Sequence, residues 1–171
     1  KESTIALIKA EAQARYGTPG LGDIPDPMWD EQEVISVNRY QTAWEGATAE
    51  AKVLWDDDRL YVLLEVTDPL LDKSAEAEHE QDSVEVFINE SNAQEMNYID
   101  GTGQYRVNFD NETSFNPGSV EEGFESFTGL TQDGYIVQVA IPWKTLSPEI
   151  GMVIGFDLQV NDAENGSRIA V

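Results

Sequence analysis

The chain has 171 residues, the length of one domain with room for a sizeable core. It carries 33 acidic residues against 10 basic ones, a net charge of −23, and no cysteine. That balance excludes nucleic acid and anionic membrane surfaces as partners, since both demand clustered Lys and Arg. The missing cysteines exclude a disulfide framework and thiolate metal sites. Most of the acids read as a surface tuned for solubility. No apolar run approaches the ~18 residues that span a bilayer.

In chain order, residues 1–10 (KESTIALIKA) read as a linker or N-terminal extension, with Ile5 and Leu7 available for a short strand. From Gly17 to Pro27 the recurring Gly and Pro exclude a helix. Trp29 reads as a core plug. Ala49 to Trp55 alternates, Asp56-Asp57-Asp58 turns the chain, and Arg59 to Thr67 returns with Leu60, Val62, Leu64 and Val66 on one face. This is a hairpin by pattern. Between 70 and 80 there is room for one helical turn. A strand over 82–90 points Asp82, Val84, Val86 and Ile88 one way and Ser83, Glu85, Phe87 and Asn89 the other. Further strands read over 104–110 and 124–129. After a turn at Gln132-Asp133-Gly134, another runs from Tyr135 to Ile141, and the last clear one from Val153 to Asn161. Pro142 to Leu146 reads as a short helical turn or a corner. Many short strands without a sustained helical period predict an all-β, antiparallel β-sandwich of jelly-roll type.

A carboxylate in mid-strand, opposite a Val/Val/Ile stripe, is costly if buried. Glu85 is that carboxylate. The same side of the pattern carries Ser83 and Asn89, then Arg106 and Asn108 on the next strand, then Asp157, Gln159 and Asn161 on the last. Carboxylate, guanidinium and amide groups supply the planar, often bidentate hydrogen bonds that fix sugar hydroxyls. From pattern alone this side is either a solvated outer face or a ligand face.

The segments EQDSVEVF at 80–87, ARYGTP at 14–19, KVLWDDDRLYVLLEVTDP at 52–69, QYRVNF at 104–109, GYIVQVAIPWKTL at 134–146 and IGFDLQVNDA at 154–163 resemble, in the same order, the family 9 carbohydrate-binding modules of secreted xylanases. The resemblance covers residues 11–171. It implies a non-catalytic, extracellular module, a monomer within a larger chain, that docks a xylanase to plant polysaccharide. The implied ligand is the reducing end of a cellulose- or xylan-type glycan, gripped between two tryptophans. The family's glutamate falls on Glu85 and its arginine on Arg106; Gln159 and Asn161 are further polar candidates. His79 stands where the first tryptophan is expected, and the second belongs to a strand and loop beyond Val171. A family 9 domain that has lost sugar binding and serves as a calcium-stabilised spacer is the alternative.

The resemblance also implies structural calcium, a hard cation that takes clustered oxygen ligands. Asp68, Asp82 and Asp162, each at a strand end, are the candidate ligands. The run Asp162-Ala163-Glu164-Asn165-Gly166 is not an EF-hand loop, because its glycine falls at the fifth position rather than the sixth. Catalysis finds little support. A Ser-His-Asp triad would need His79 beside a serine on a nucleophile elbow, and a suitably spaced pair among 33 acids means nothing.

Overall fold

The computed structural model describes residues 10–93 and 101–171, so the N-terminal extension lies outside the described residues except for Ala10. Among the described residues the strands are β1 (Arg15–Tyr16), β2 (Ile35–Val37), β3 (Thr48–Trp55), β4 (Arg59–Thr67), β5 (Ser83–Asn89), β6 (Thr102–Asn108), β7 (Thr113–Phe115), β8 (Glu125–Leu130), β9 (Gly134–Pro142), β10 (Gly155–Glu164) and β11 (Ser167–Ala170). They form two sheets. One runs β1-β3-β4-β9-β8, with β2 also paired to β3; the other runs β11-β10-β5-β6-β7. Every pairing is antiparallel except the short β1–β3 contact. The expected antiparallel sandwich is the observed fold.

Period-two alternation explains which side chains meet between the sheets. Leu60, Val62, Leu64 and Val66 of β4 and Val137, Val139 and Ile141 of β9 face Val84, Val86 and Ile88 of β5 and Tyr105 and Val107 of β6. The other face of β4 and β9 is also buried. There Leu54, Tyr61, Leu63, Ile136 and Ala140 pack under Trp29, with Leu21 at the edge. Burial on both faces is why β4 reads as a nearly continuous apolar run. Trp29 is the expected plug, on the outer face of the first sheet. It sits in a 3₁₀ turn at Pro27–Glu31, started by Pro27 and capped by the Asp26 carboxylate on the Met28 N–H.

The structure departs from the expected elements chiefly in two ways. The strands β1, β2, β7 and β11 span two to four residues each, too short to show alternation. The last long strand continues through Asp162 to Glu164 rather than stopping at Asn161. Of the two options for Pro142–Leu146, the corner is the one formed. Buried Glu90 holds it, accepting from the N–H groups of Lys144, Thr145 and Leu146 and from the Thr145 hydroxyl at 2.6–2.9 Å. The one turn expected between 70 and 80 is the 3₁₀ turn Glu78–Glu80.

Gly134 opens β9 where the chain presses against the end of β4. A Cβ there would lie 2.1 Å from the Val66 carbonyl oxygen and 2.8 Å from the Asp68 nitrogen, both backbone atoms that cannot step aside. The Asp68 N–H is itself bonded to the Asp133 carbonyl at 2.8 Å. We expect Gly134→Ala to force β4 and β9 apart at this end, at a cost of roughly 3 kcal/mol or more. Urea unfolding measures it; a cost below 1 kcal/mol would show that the turn relaxes freely.

Candidate functional site

The register of the second sheet places Gln159 of β10, Glu85 of β5, Arg106 of β6 and Ser114 of β7 directly opposite one another in one line across four strands. Adjacent strands are about 4.8 Å apart, so the line is about 14 Å long. Glu85 is its centre and is only 1% exposed. Its carboxylate accepts from Arg106 Nε at 2.9 Å, from Asn161 Nδ2 at 2.8 Å, from Gln159 Nε2 at 3.4 Å, and from the Gln104 amide. Burial pushes its pKa up, but the bonds from Arg106, Asn161 and Gln104 outweigh that and hold it below the ordinary value. The result is an ionised carboxylate with its lone pairs filled.

The outer members of the line are tied in the same way. Arg106 donates from Nη1 to the Ser114 hydroxyl at 2.8 Å. Asn161, fully buried, donates to Ser83 Oγ at 3.0 Å and accepts from Gln159 at 2.8 Å. Gln104 accepts from Asn116 Nδ2. Beside the line, Glu76, Glu78, Gln81, Arg106, Asn108, Glu112, Thr113 and Ser114 line a cleft of about 280 Å³.

The structure therefore brings Glu85, Arg106, Gln159 and Asn161 into a single hydrogen-bonded network. His79 stands apart from it. It lies in the 3₁₀ turn Glu78–Glu80, its side chain half exposed, with Nε2 3.4 Å from the Glu80 carboxylate. Sequence reasoning missed Gln104, Ser114, Asn116 and Arg168. Gln104 was within reach, because it shares the parity of Arg106 and Asn108. Ser114 and Arg168 lie on the short strands β7 and β11, which give no periodic signal. Arg168 donates from Nη1 to Asn161 Oδ1 at 3.1 Å.

The three candidate metal ligands also converge. Asp68 follows β4 in the first sheet; Asp82 precedes β5 and Asp162 belongs to β10 in the second. All three are buried, and their carboxylate oxygens lie within 4.8 Å of one another. Among the described residues no Lys or Arg forms an ion pair with them. Two atoms at this end, Asp68 Oδ2 and the Tyr135 hydroxyl, are buried without a hydrogen-bond partner. Burial, opposed by N–H bonds from Asp72 and Ala163 and assisted by the neighbouring Asp68 and Asp162, pushes Asp82 up to about 7. Burial likewise raises Asp68 and, together with the three carboxylates, Tyr135. Three buried carboxylates with an orphaned oxygen fit a hard divalent cation, which would supply the missing positive charge.

Comparison with known proteins decides the family. The model for the carbohydrate family 9 binding domain-like family matches residues 22–171. The chain is similar to endo-1,4-beta-xylanase A of Thermoanaerobacterium saccharolyticum, 50% identical over 161 residues, which are 94% of this chain and 14% of that protein. It is equally similar to an exoglucanase of Acetivibrio thermocellus, 50% identical over 161 residues, 94% of this chain and 15% of that protein. Among solved structures, a family 9 carbohydrate-binding module from Caldicellulosiruptor kristjanssonii in complex with cellotriose superposes with a TM-score of 0.86 at 34% identity, covering 92% of this chain and 80% of that one. The same module in complex with glucose superposes equally well, at 0.86. This chain belongs to family 9 of the carbohydrate-binding modules.

It is thus a non-catalytic carbohydrate-binding module, corresponding to about one-seventh of the length of the enzymes it resembles. The polar line lies on the outer face of its second sheet, and the carboxylate cluster lies just inside one end of the same strands.

Two stability predictions follow from the burial of these acids. Glu85→Ala leaves Arg106, whose side chain is 11% exposed, without its counter-ion, and strands the amides that Glu85 receives. We expect a loss of about 3–5 kcal/mol in denaturant unfolding; a change under 1 kcal/mol would show that water replaces the carboxylate. The second concerns the metal-free module. Folded Asp82 holds its proton up to about pH 7, whereas the unfolded chain releases it near pH 4. Between those values the unfolded state binds fewer protons, so stability falls as pH rises. Chelator-treated protein should melt several degrees higher at pH 5 than at pH 8. Glu85 acts in the opposite sense, but its contribution is lost only as pH falls below about 4. A melting temperature that instead rises from pH 5 to pH 8 would remove Asp82 as the controlling group.

Proposed function

We propose that the module binds the reducing end of a β-1,4-linked glucan or xylan chain against the Ser114–Arg106–Glu85–Gln159 line. We further propose that it holds a parent enzyme, a secreted xylanase or related glycoside hydrolase, on plant cell-wall polysaccharide, and that it is monomeric within that longer chain. The buried, fully bonded Glu85 carries the reading. A carboxylate locked in this way fixes the amide and guanidinium groups around it, and rigid donors at the surface can hold sugar hydroxyls without first being ordered. The cellotriose and glucose complexes of the similar Caldicellulosiruptor module support the ligand class. His79 would supply a smaller, more polar ring face than the tryptophan expected at its position.

The cluster of Asp68, Asp82 and Asp162 is proposed as a structural calcium site. An ion there would join the end of β4 in one sheet to β5 and β10 in the other. It would also neutralise charges that otherwise favour protonation.

Calorimetric titration with calcium present tests the sugar reading, against cellobiose and xylobiose and then against their borohydride-reduced forms. Heat with the sugars and none with the reduced forms is expected, as is a loss of at least about tenfold in affinity for Arg106→Ala. No heat with any of them in folded protein would overturn it in favour of a spacer module. For the metal, calcium at about a hundred times its dissociation constant contributes about 2.7 kcal/mol. In a chain of this size that is a rise of roughly 5–10 °C in melting temperature over the chelated state. The rise should vanish in Asp68→Asn; a rise that persists there would place the ion elsewhere.

A further inference from the structure

We propose that the Tyr135 hydroxyl belongs to the cation site of Asp68, Asp82 and Asp162, as a neutral oxygen beside the three carboxylates. This rests on the calcium reading above and goes beyond it by assigning a ligand that carries no charge. The observation behind it is an orphaned atom. Tyr135 is fully buried, and among the described residues its hydroxyl has no hydrogen-bond partner, although a hydroxyl can both donate and accept. Burying a hydroxyl unpartnered costs free energy that a phenylalanine in the same space would not incur.

The fold carries this side chain to the acid cluster. Tyr135 lies near the start of β9, opposite Val66, which stands two residues before Asp68. It belongs to the core between the sheets together with Val137 and Val139. Its ring meets Phe109, just beyond β6 of the second sheet, with the centroids 6.2 Å apart. After burial itself, the influences on its hydroxyl are the charges of Asp82, Asp68 and Asp162. The phenol thus ends near three acceptors and bonds to none of them. Asp68 Oδ2 is unpartnered in the same interior end. Two orphaned oxygens of different chemistry share one remedy, a cation that takes a lone pair from each.

The carboxylates alone make a sparse cage. Calcium takes about six to eight oxygens. Each acid already spends lone pairs on backbone N–H groups: Asp68 Oδ1 on Leu70 at 3.1 Å, Asp162 Oδ2 on Ala47 at 2.6 Å, and Asp82 on both Asp72 and Ala163. These bonds position the acids and leave fewer lone pairs for an ion. A fourth carboxylate would add oxygens, but three already exceed the charge of a divalent ion, and a further buried negative charge would go uncompensated. A hydroxyl adds an oxygen and no charge.

The test is Tyr135→Phe, which keeps the ring and its packing on Phe109 and removes only the oxygen. Calcium affinity is read by competition with a fluorescent chelator, and melting temperature is read both in chelator and in calcium. Affinity should fall about tenfold, the range of one lost contact to a charged group. In chelator the variant should melt no lower than the unaltered module, because only an unpartnered hydroxyl has gone. With calcium at about a hundred times the unaltered dissociation constant, its rise should be smaller by about 3–5 °C. A hydroxyl with an ordinary partner in the core would instead weaken both states alike. Calcium affinity within about twofold of the unaltered value would overturn the inference and leave the calcium reading intact. So would a melting temperature lowered equally in chelator and in calcium. Failure of the unaltered module to bind calcium would remove that reading and this inference together.

Discussion

The site is organised by one constraint, which is that Glu85 must remain ionised while almost wholly out of water. An isolated carboxylate in that position would protonate or break the fold. It does neither, because donors reach it from both flanking strands: Arg106 and Gln104 from β6, Asn161 and Gln159 from β10. Those donors arrive only in one register. A slip of one residue on either strand would turn Arg106 or Asn161 into the core and Val107 or Val160 out to solvent. The apolar stripe and the polar network thus enforce the same alignment from opposite faces of the sheet. The surface that results is rigid because its centre tolerates no other arrangement.

The two sheets divide their labour. The first buries both of its faces, one against the partner sheet and one under Trp29 and Leu21. The buried Gln138 amide helps to hold that cover, donating to the Gly22 carbonyl at 2.7 Å. Asp56 helps as well, accepting from the Thr18 hydroxyl at 2.8 Å and from the Tyr61 hydroxyl at 2.6 Å. Such a sheet is a foundation. The second packs an apolar face against the first and carries the amides, carboxylate and guanidinium of the Glu85 network on its other face.

How much of this was legible in the sequence depends on strand length. Seven to ten residues of alternation were enough to place β3, β4, β5, β9 and β10 and to sort Val84 from Glu85. The four polar residues of the central network followed from parity alone, though the sugar-binding role proposed for them came only from the family resemblance. Strands of three or four residues carry no period, so Ser114 and Arg168 were invisible however functional their positions. The corner after β9 was left undecided for a different reason. Proline followed by Trp-Lys-Thr-Leu suits either a helical turn or a bend, and the arbiter, Glu90, lies more than fifty residues earlier in the chain. Local sequence cannot report a carboxylate that arrives through tertiary structure.

The acid cluster and the polar line are neighbours by construction. Asp82 and Ser83 are consecutive, as are Asn161 and Asp162, so alternation sends one member of each pair into the interior and the other outward. The inward members meet Asp68 at the end of the opposite sheet. The outward members bond to each other and, through Asn161, to Glu85. A charge placed among the three aspartates therefore acts on backbone that is shared with the polar line. Uncompensated, those aspartates repel one another and would loosen β5 from β10 at the point where Ser83 and Asn161 must touch. Neutralised, whether by protons or by the proposed calcium, they draw the two strands and the opposite sheet together. The interior charges thus bear on the precision of the outer face, one residue away in each strand, without any contact with a ligand.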